Sequence, residues 1–187
     1  EWDEFKTWAK GDTSYYISQV LLGGHGRSYE DFKNATWKDW LMPIKTEYEG
    51  LINAGYKNIN FIGSSTSCAL ITELISEGYF INKLSPNNFL YIDPIVIPSN
   101  KTLSLVGLIG PMLGYAEVDN SKDEDLYWYH FRPQETLQEL NKLIILVRKN
   151  LEDGIKLPKN SNMKVYKSIK DGSADPASAV LLYKGLK

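Results

Sequence analysis

The sequence predicts an α/β fold in which helices flank a mostly parallel sheet. Runs with the length and apolar content of strands alternate along the chain with segments whose apolar residues recur at helical spacing. Parallel strands need long crossover connections, usually helices, so this alternation indicates a parallel sheet. In such a sheet, functional side chains gather beyond the carboxyl ends of the strands.

Four segments have the β-branched, aromatic and aliphatic content of strands. The predicted strands are residues 15–22, 58–62, 89–92 and 163–169. A glycine-rich run follows the first of these strands, a turn of small residues follows the second, and an aspartate follows each of the last two. Residues 28–34 are predicted as a polar connection.

Five segments have the apolar spacing and the terminal residues of helices. Thr36, with Asp39 three residues later, resembles a capping box. Pro133 can begin a long helix, and the pair Asp175-Pro176 is typical of an N-cap and a first helical turn. With their terminal residues, the predicted helices are residues 2–10, 36–55, 66–78, 133–151 and 175–186.

The composition narrows the class of protein. The 187 residues are 43% hydrophobic and 24% charged, with a formal net charge of −2, which gives no electrostatic reason to expect nucleic acid as a partner. No segment reaches the roughly 20 apolar residues of a membrane span. A single cysteine, Cys68, excludes an internal disulfide framework and favours the cytoplasm, and with two histidines it argues against a structural zinc site. The composition leaves the oligomeric state open.

A tight run of small residues, Gly63-Ser64-Ser65-Thr66-Ser67, joins the predicted strand at 58–62 to an apolar helix. A nucleophile elbow has this form, with a serine on a sharp strand-to-helix corner. Gly63 lacks the Cβ that would crowd the corner, and a small residue at position 67 lets the helix pass close to the strand. We therefore predict Ser65 as the nucleophile of a serine hydrolase. The alternative is an ordinary Ser/Thr-rich loop.

Several motifs in order resemble the monoacylglycerol lipase and carboxylesterase group of α/β-hydrolases. Residues 24–31 read GHGRSYED and residues 36–40 read TWKDW, similar to that group's GHG-x-S-x-x-D and TW-x-D-W stretch. Residues 171–179 read DGSADPASA, similar to its acid motif D-x-x-V-D-P-x-S-A. Arg132-Pro133 resembles the exit from its lid. The resemblance covers nearly the whole chain and implies one α/β-hydrolase domain over residues 1–187.

The resemblance implies roles for particular residues. Ser65 matches the nucleophile, Asp171 matches the acid of the catalytic triad, and the backbone N–H of Thr66 matches half of the oxyanion hole. Asp175 matches a helix cap beside the acid. The sequence departs from the family at Ser67 and Cys68, where the family usually has two glycines.

Two parts of the family's machinery are expected outside this sequence. The triad runs in the order Ser, Asp, His, so the resemblance places the histidine beyond Lys187. The second oxyanion donor is expected on a loop before Glu1, so the sequence is interpreted as the central part of a hydrolase. His25, in a glycine-rich turn, and His130, among aromatic residues, are interpreted as structural or pocket-lining residues rather than as the base.

Residues 96–132 are expected to form the family's lid. Leu108, Met112, Trp128 and His130 are candidates for lining its pocket. The apolar run 103–113 fits an acyl pocket or a lipid interface, and a plain core segment is the alternative. The aromatic residues at 127–129 fit either a pocket mouth or an anchor for the lid.

The sequence and the resemblance together predict hydrolysis of carboxylic esters, such as monoacylglycerols and other small lipid esters, with no metal or organic cofactor. The partner is then a small-molecule ester. A non-catalytic binding protein on the same fold is the alternative from another class, and an acyltransferase or thioesterase would use the same triad. The acyl chain, the alcohol and the compartment stay open.

Overall fold

A computed structural model describes residues 2–99, 114–117 and 129–187 of the chain. Its helices are α1 (Asp3–Ala9), α2 (Tyr29–Asn34), α3 (Trp37–Asn53), α4 (Thr66–Ser76), α5 (Gln134–Asp153) and α6 (Ala177–Gly185). Its strands are β1 (Asn60–Ser64), β2 (Asn88–Ile92), β3 (Tyr115–Glu117), β4 (Phe131–Pro133) and β5 (Asn162–Tyr166).

The described part of the main sheet has three parallel strands in the order β1-β2-β5. Their register is flush: Ser64 lies opposite Ile92, and Ile92 lies opposite Tyr166. The three strands therefore end together, and the residues that follow them share one edge of the sheet. This edge positions the candidate site.

Helix α4 is the centre of the hydrophobic core. Eight consecutive residues from Cys68 to Ile75 are buried, and the helix packs against β1, α3 and α5. On the sheet, the ring of Phe61 stacks on Phe89 at 5.7 Å and meets Phe80 edge-on. Because most of its buried side chains are apolar, α4 is held firmly in the core and fixes the position of the turn that precedes it.

The predicted helix ends are confirmed where the capping residues lie next to the helix in the sequence. Thr36 and Asp39 form both halves of a capping box at the start of α3. Gly55, at φ +92°, follows the C-cap of that helix, and the N–H groups of Gly55 and Tyr56 return to Ile52 and Leu51 as in a Schellman motif. Pro133 precedes the long helix α5 as predicted.

Two predictions for the first part of the chain are wrong. Residues 15–22 form no strand, because no strand of the described residues lies beside them to accept their backbone hydrogen bonds. Residues 28–34 are not a plain connection but contain α2, which begins at a second capping box between Ser28 and Asp31. The last strand is also shorter than predicted and ends at Tyr166.

Of the segment expected as a lid, the structure describes residues 96–99, 114–117 and 129–132. Within it, β3 pairs antiparallel with β4. Tyr129 stacks on Phe32 of α2 at 4.4 Å, and its hydroxyl bonds to the backbone of Arg27. The end of this segment is therefore attached to the glycine-rich turn and α2.

Candidate active site

Ser65 joins β1 to α4 in a conformation that side chains rarely adopt. Its φ is +51° and its ψ is −114°, which for a residue with a Cβ is a strained backbone. Its N–H donates to the carbonyl of Ile92 at 3.0 Å, and its own carbonyl accepts from the N–H of Cys68 at 3.1 Å. The ladder on one side and the helix on the other hold this strained residue in place.

The corner requires the glycine that precedes it. A Cβ on Gly63 would lie 3.0 Å from Cδ1 of Ile71, 3.2 Å from the backbone nitrogen of Cys68 and 3.3 Å from its Sγ. All three distances are shorter than ordinary van der Waals contacts, so a side chain here would push β1 and α4 apart. The predicted close approach of strand and helix is present.

Ser67 stabilises the same turn through its side chain. Its Oγ accepts from the N–H of Ser64 and donates to the carbonyl of Ser64, both at 2.7 Å. The hydroxyl thereby satisfies two backbone groups at the end of β1. This gives a physical role to a serine at a position where the resembled family usually has glycine.

The hydroxyl of Ser65 and the backbone N–H of Thr66 lie side by side at the start of α4. Ser65 is half-buried, and its side chain makes no cap for the helix that it precedes. The N–H of Thr66 begins α4 and has no backbone acceptor among the described residues. A hydroxyl and a helix N-terminal N–H thus lie next to each other, where a developing negative charge would be stabilised.

Asp171 follows β5 at the same edge of the sheet. Its Oδ1 accepts from the N–H groups of Ser173 at 2.8 Å and Ala174 at 3.2 Å, and its Oδ2 accepts from the ammonium of Lys167. Burial raises the pKa of Asp171, but the hydrogen bonds from Lys167 and from the two backbone N–H groups outweigh it and hold that pKa below its ordinary value. The carboxyl is therefore a carboxylate at neutral pH.

A second carboxylate, Asp93, lies between Ser65 and Asp171 in the order of the strands. It follows β2 at φ +45°, and its Oδ1 accepts from the N–H of Ser168 at 2.7 Å and from Lys167 at 3.2 Å. Its own N–H donates to the carbonyl of Tyr166 at 2.8 Å. The sequence predicts Asp93 only as the residue that follows a strand. The signal that could have found it is an aspartate directly after a parallel strand.

Asp175 caps α6 as predicted. Its carboxylate accepts from the N–H of Ala177, the first residue of the helix, at 2.8 Å. Its backbone N–H donates to Ile97, and Ser178 in α6 also bonds to the backbone of Ile97. The loop that carries Asp171 is therefore tied to the residues that follow β2.

Neither histidine of the sequence contacts Ser65 or Asp171 in the described residues. His25 has its Nδ1 at 3.2 Å from the carbonyl of Gly23 and meets the rings of Phe32 and Trp40 edge-on, as expected for a structural histidine. His130 has its Nε2 at 3.3 Å from a carboxylate oxygen of Glu117 on β3. The other candidate pocket residues, Leu108, Met112 and Trp128, lie outside the described residues.

A cleft of about 590 Å³ lies at the opposite edge of the sheet. Its lining comes from residues 75–85, before β2, and from residues 154–159, before β5. It includes neither Ser65 nor Asp171, so it belongs to a different part of the surface.

The part of the chain that the structure describes contains neither a cluster of metal ligands nor a membrane-spanning helix. Across residues 2–99, 114–117 and 129–187, three or more His, Cys, Asp or Glu side chains nowhere group as metal ligands would. Within the same ranges, no helix combines the length and the apolar character that crossing a membrane requires.

Comparison with known proteins relates the fold to lipolytic enzymes. No protein-family model and no curated protein matches the sequence. A solved structure from work on LipS and LipT, two metagenome-derived lipolytic enzymes, is similar at a TM-score of 0.77 and 18% identity, over 98% of this chain and 74% of that chain. The monoacylglycerol lipase of Paleococcus ferrophilus is similar at a TM-score of 0.69 and 13% identity, over 100% of this chain and 74% of that chain. These similarities show the α/β-hydrolase fold.

Proposed function

We propose that this chain, with its α/β-hydrolase fold, belongs to a serine hydrolase that cleaves carboxylic esters through an acyl-enzyme on Ser65. The observation that carries the proposal is the strained conformation of Ser65 at the corner between β1 and α4. Strain of this kind is retained where it presents a reactive group, and a nucleophile elbow needs it to expose the serine hydroxyl.

The proposed reaction begins with attack of Ser65 Oγ on the acyl carbonyl carbon. A histidine outside residues 1–187 would take the hydroxyl proton and pass it to the leaving alcohol, and Asp171 would orient that imidazole. The N–H of Thr66 would donate to the oxyanion of the tetrahedral intermediate. Water, activated by the same histidine, would then attack the acyl-enzyme and release the acid, which restores Ser65.

The strand order supports the pairing of Ser65 with Asp171. Neighbouring strands lie about 4.8 Å apart, and β2 separates β1 from β5, so the two residues follow strands about 10 Å apart. An imidazole with a hydrogen bond on each side spans roughly 7 Å between its partners' oxygen atoms. A spacing of two strands therefore leaves room for one bridging histidine between the residues that follow β1 and β5.

The substrate is proposed as a small lipid ester, for example a monoacylglycerol. The names of the two similar structures, both lipolytic enzymes, support this class of substrate. Residues 96–132 are proposed as a lid over the site, with Leu108, Met112, Trp128 and His130 as pocket residues. The described start of this segment lies beside the loop of Asp171, where the hydroxyl of Ser99 donates to the carbonyl of Asp171 at 3.3 Å, and its described end packs on α2 through Tyr129.

The test is labelling of the full-length protein with a fluorophosphonate probe, followed by mass-spectrometric mapping of the modified peptide. We expect the probe on Ser65, and loss of both labelling and ester turnover in Ser65→Ala with unchanged folding. A folded full-length protein that takes no label would instead support a non-catalytic binding protein. Product analysis with acyl esters, thioesters and acceptor alcohols separates an esterase from a thioesterase or an acyltransferase.

A further inference from the structure

Lys167 lies at the centre of a group of three charges at the carboxyl edge of the sheet. It is the first residue after β5, and only 7% of its side chain is exposed. Its Nζ lies 3.2 Å from Oδ1 of Asp93 and also donates to Oδ2 of Asp171. A buried ammonium with two carboxylate partners is a fixed structural element, unlike a lysine on the surface.

The contacts of Asp171 show what Lys167 does to it. A carboxylate has about four acceptor sites. The N–H groups of Ser173 and Ala174 use two of them on Oδ1, and Lys167 uses one on Oδ2. One site, on Oδ2, is left for a further donor such as an imidazole N–H.

Asp93 holds Lys167 from the other side. The N–H of Ser168 donates to the Oδ1 of Asp93 that also binds the ammonium, and the N–H of Asp93 continues the ladder to β5. Lys167 therefore bridges the ends of β2 and β5, and its position is set by two strands of the sheet.

We propose that Lys167 is a positioning residue for the reaction. It fixes the orientation of the Asp171 carboxylate and, together with Asp93, sets the net charge close to the triad histidine. The inference rests on the proposed function, because it takes Asp171 as the acid of the triad. The acid motif of the resembled family does not include this position, so the assignment comes from the contacts alone.

The charges near Asp171 fix the sign of the expected effects. Lys167 lies after β5 and Asp93 after β2, while the exposed Lys170 and the half-buried Asp175 flank Asp171 in its own loop. The described residues of the turn after β1 carry no charged side chain. Lys167, Asp93 and Asp171 together carry a net charge of −1, the same as Asp171 alone.

Removal of one charge at a time should move the pH dependence in opposite directions. Lys167→Met leaves two carboxylates, which favours the protonated imidazole, so the acid limb of kcat/KM should move to higher pH by about one unit. Asp93→Asn leaves one lysine and one carboxylate, so the limb should move to lower pH by a similar amount. The double variant restores the net charge, so the limb should return towards the wild-type position while kcat stays lowered.

The experiment measures ester turnover and the rate of fluorophosphonate labelling against pH in the full-length protein. Lys167→Arg should keep the wild-type profile, and the matched control Lys164→Met, at an exposed lysine on the same strand, should leave it unchanged. Equal profiles for Lys167→Met, Asp93→Asn and the wild type would overturn the inference, as would shifts of the same sign. If Lys167→Met does not fold, Lys167→Gln replaces it as the variant without the ammonium. In that case the direction of the shift is decided by Asp93→Asn alone.

This outcome can be told apart from failure of the proposed function. A wild-type protein that neither labels nor turns over esters contradicts the serine hydrolase itself. A wild-type protein that labels on Ser65, with a profile that does not respond to Lys167 or Asp93, contradicts only the positioning role.

Discussion

The backbone N–H of Ser65 donates to the carbonyl oxygen of Ile92 at 3.0 Å, one residue beyond the last pair of the β1–β2 ladder. The strained residue is thus the last one that β2 holds before the chain turns into α4. Burial of α4 then keeps the turn from relaxing, because unwinding it would expose the buried apolar side chains of the helix, among them Leu70, Ile71 and Leu74. The strain at Ser65 is offset by the packing of elements on both sides.

Replacement of Ser65 measures this strain. Ser65→Gly removes the Cβ that opposes a φ of +51°, whereas Ser65→Ala keeps it. We expect Ser65→Gly to have a free energy of unfolding about 1–2 kcal/mol higher than Ser65→Ala, although both lack the nucleophile. Urea unfolding of the two variants is the measurement. An alanine variant as stable as the glycine variant would show that the turn carries no such strain.

Gly63 and Gly50 form a matched pair for the close approach of β1 and α4. A Cβ on Gly63 meets Ile71 and Cys68 at 3.0–3.3 Å, whereas a Cβ on Gly50 in α3 meets no atom within 4 Å. Gly63→Ala should lower the free energy of unfolding by about 1–3 kcal/mol and slow the labelling of Ser65. Gly50→Ala should raise it by about 0.5–1 kcal/mol through helix propensity. A neutral Gly63→Ala would contradict the tight corner.

The two aspartates of the acid motif should behave differently. Asp171→Asn leaves one acceptor oxygen where two now accept, one from Lys167 and the other from backbone N–H groups, and the amide cannot stabilise an imidazolium. Ester turnover should therefore fall by about 10³- to 10⁴-fold. Asp175→Asn keeps an oxygen for the N–H of Ala177, and its effect should be confined to a few tenths of a kcal/mol of stability. Turnover and urea unfolding of both variants decide the matter, and the reverse pattern would assign the acid to Asp175.

The local features of the site could be predicted from the sequence. The corner around Ser65, the capping box of α3 and the cap at Asp175 each depend on residues within a few positions of one another, so their spacing in the sequence carries the information. Ser28 and Asp31 have the spacing of a capping box as well, and this spacing could have predicted the helix α2 that begins there. The predicted strand at 15–22 was wrong because a strand also needs a neighbour, which its own residues do not specify.

The charged group at the edge of the sheet could not be predicted in the same way. Asp93 and Lys167 are 74 residues apart, and only the flush register of β2 and β5 brings them together. Nothing in the neighbourhood of Lys167 distinguishes it from Lys164 or Lys170, which are exposed. Its burial follows from the turn that the chain makes after Tyr166, where Ser168 binds Asp93 and the ladder ends.

His25 provides a pH-dependent prediction outside the reaction. Burial against Phe32 and Trp40 lowers the pKa of His25 more than its hydrogen bond to Gly23 raises it. The unfolded chain therefore binds a proton more readily than the folded one. The stability that this histidine allows is fully present above its unfolded pKa of about 6.5 and is lost as the pH falls through its lower folded value.

His25→Gln removes this titration, so the stability of the wild type relative to the variant should decrease as the pH falls from 7.5 to 5. The measurement is urea unfolding of both proteins at several pH values, and only the change with pH matters, because Gln also alters the packing at every pH. A constant difference would contradict the lowered pKa. The full-length variant should still label on Ser65, since the contacts of His25 are to Gly23, Phe32 and Trp40. Loss of labelling in a folded variant would instead identify His25 as the base.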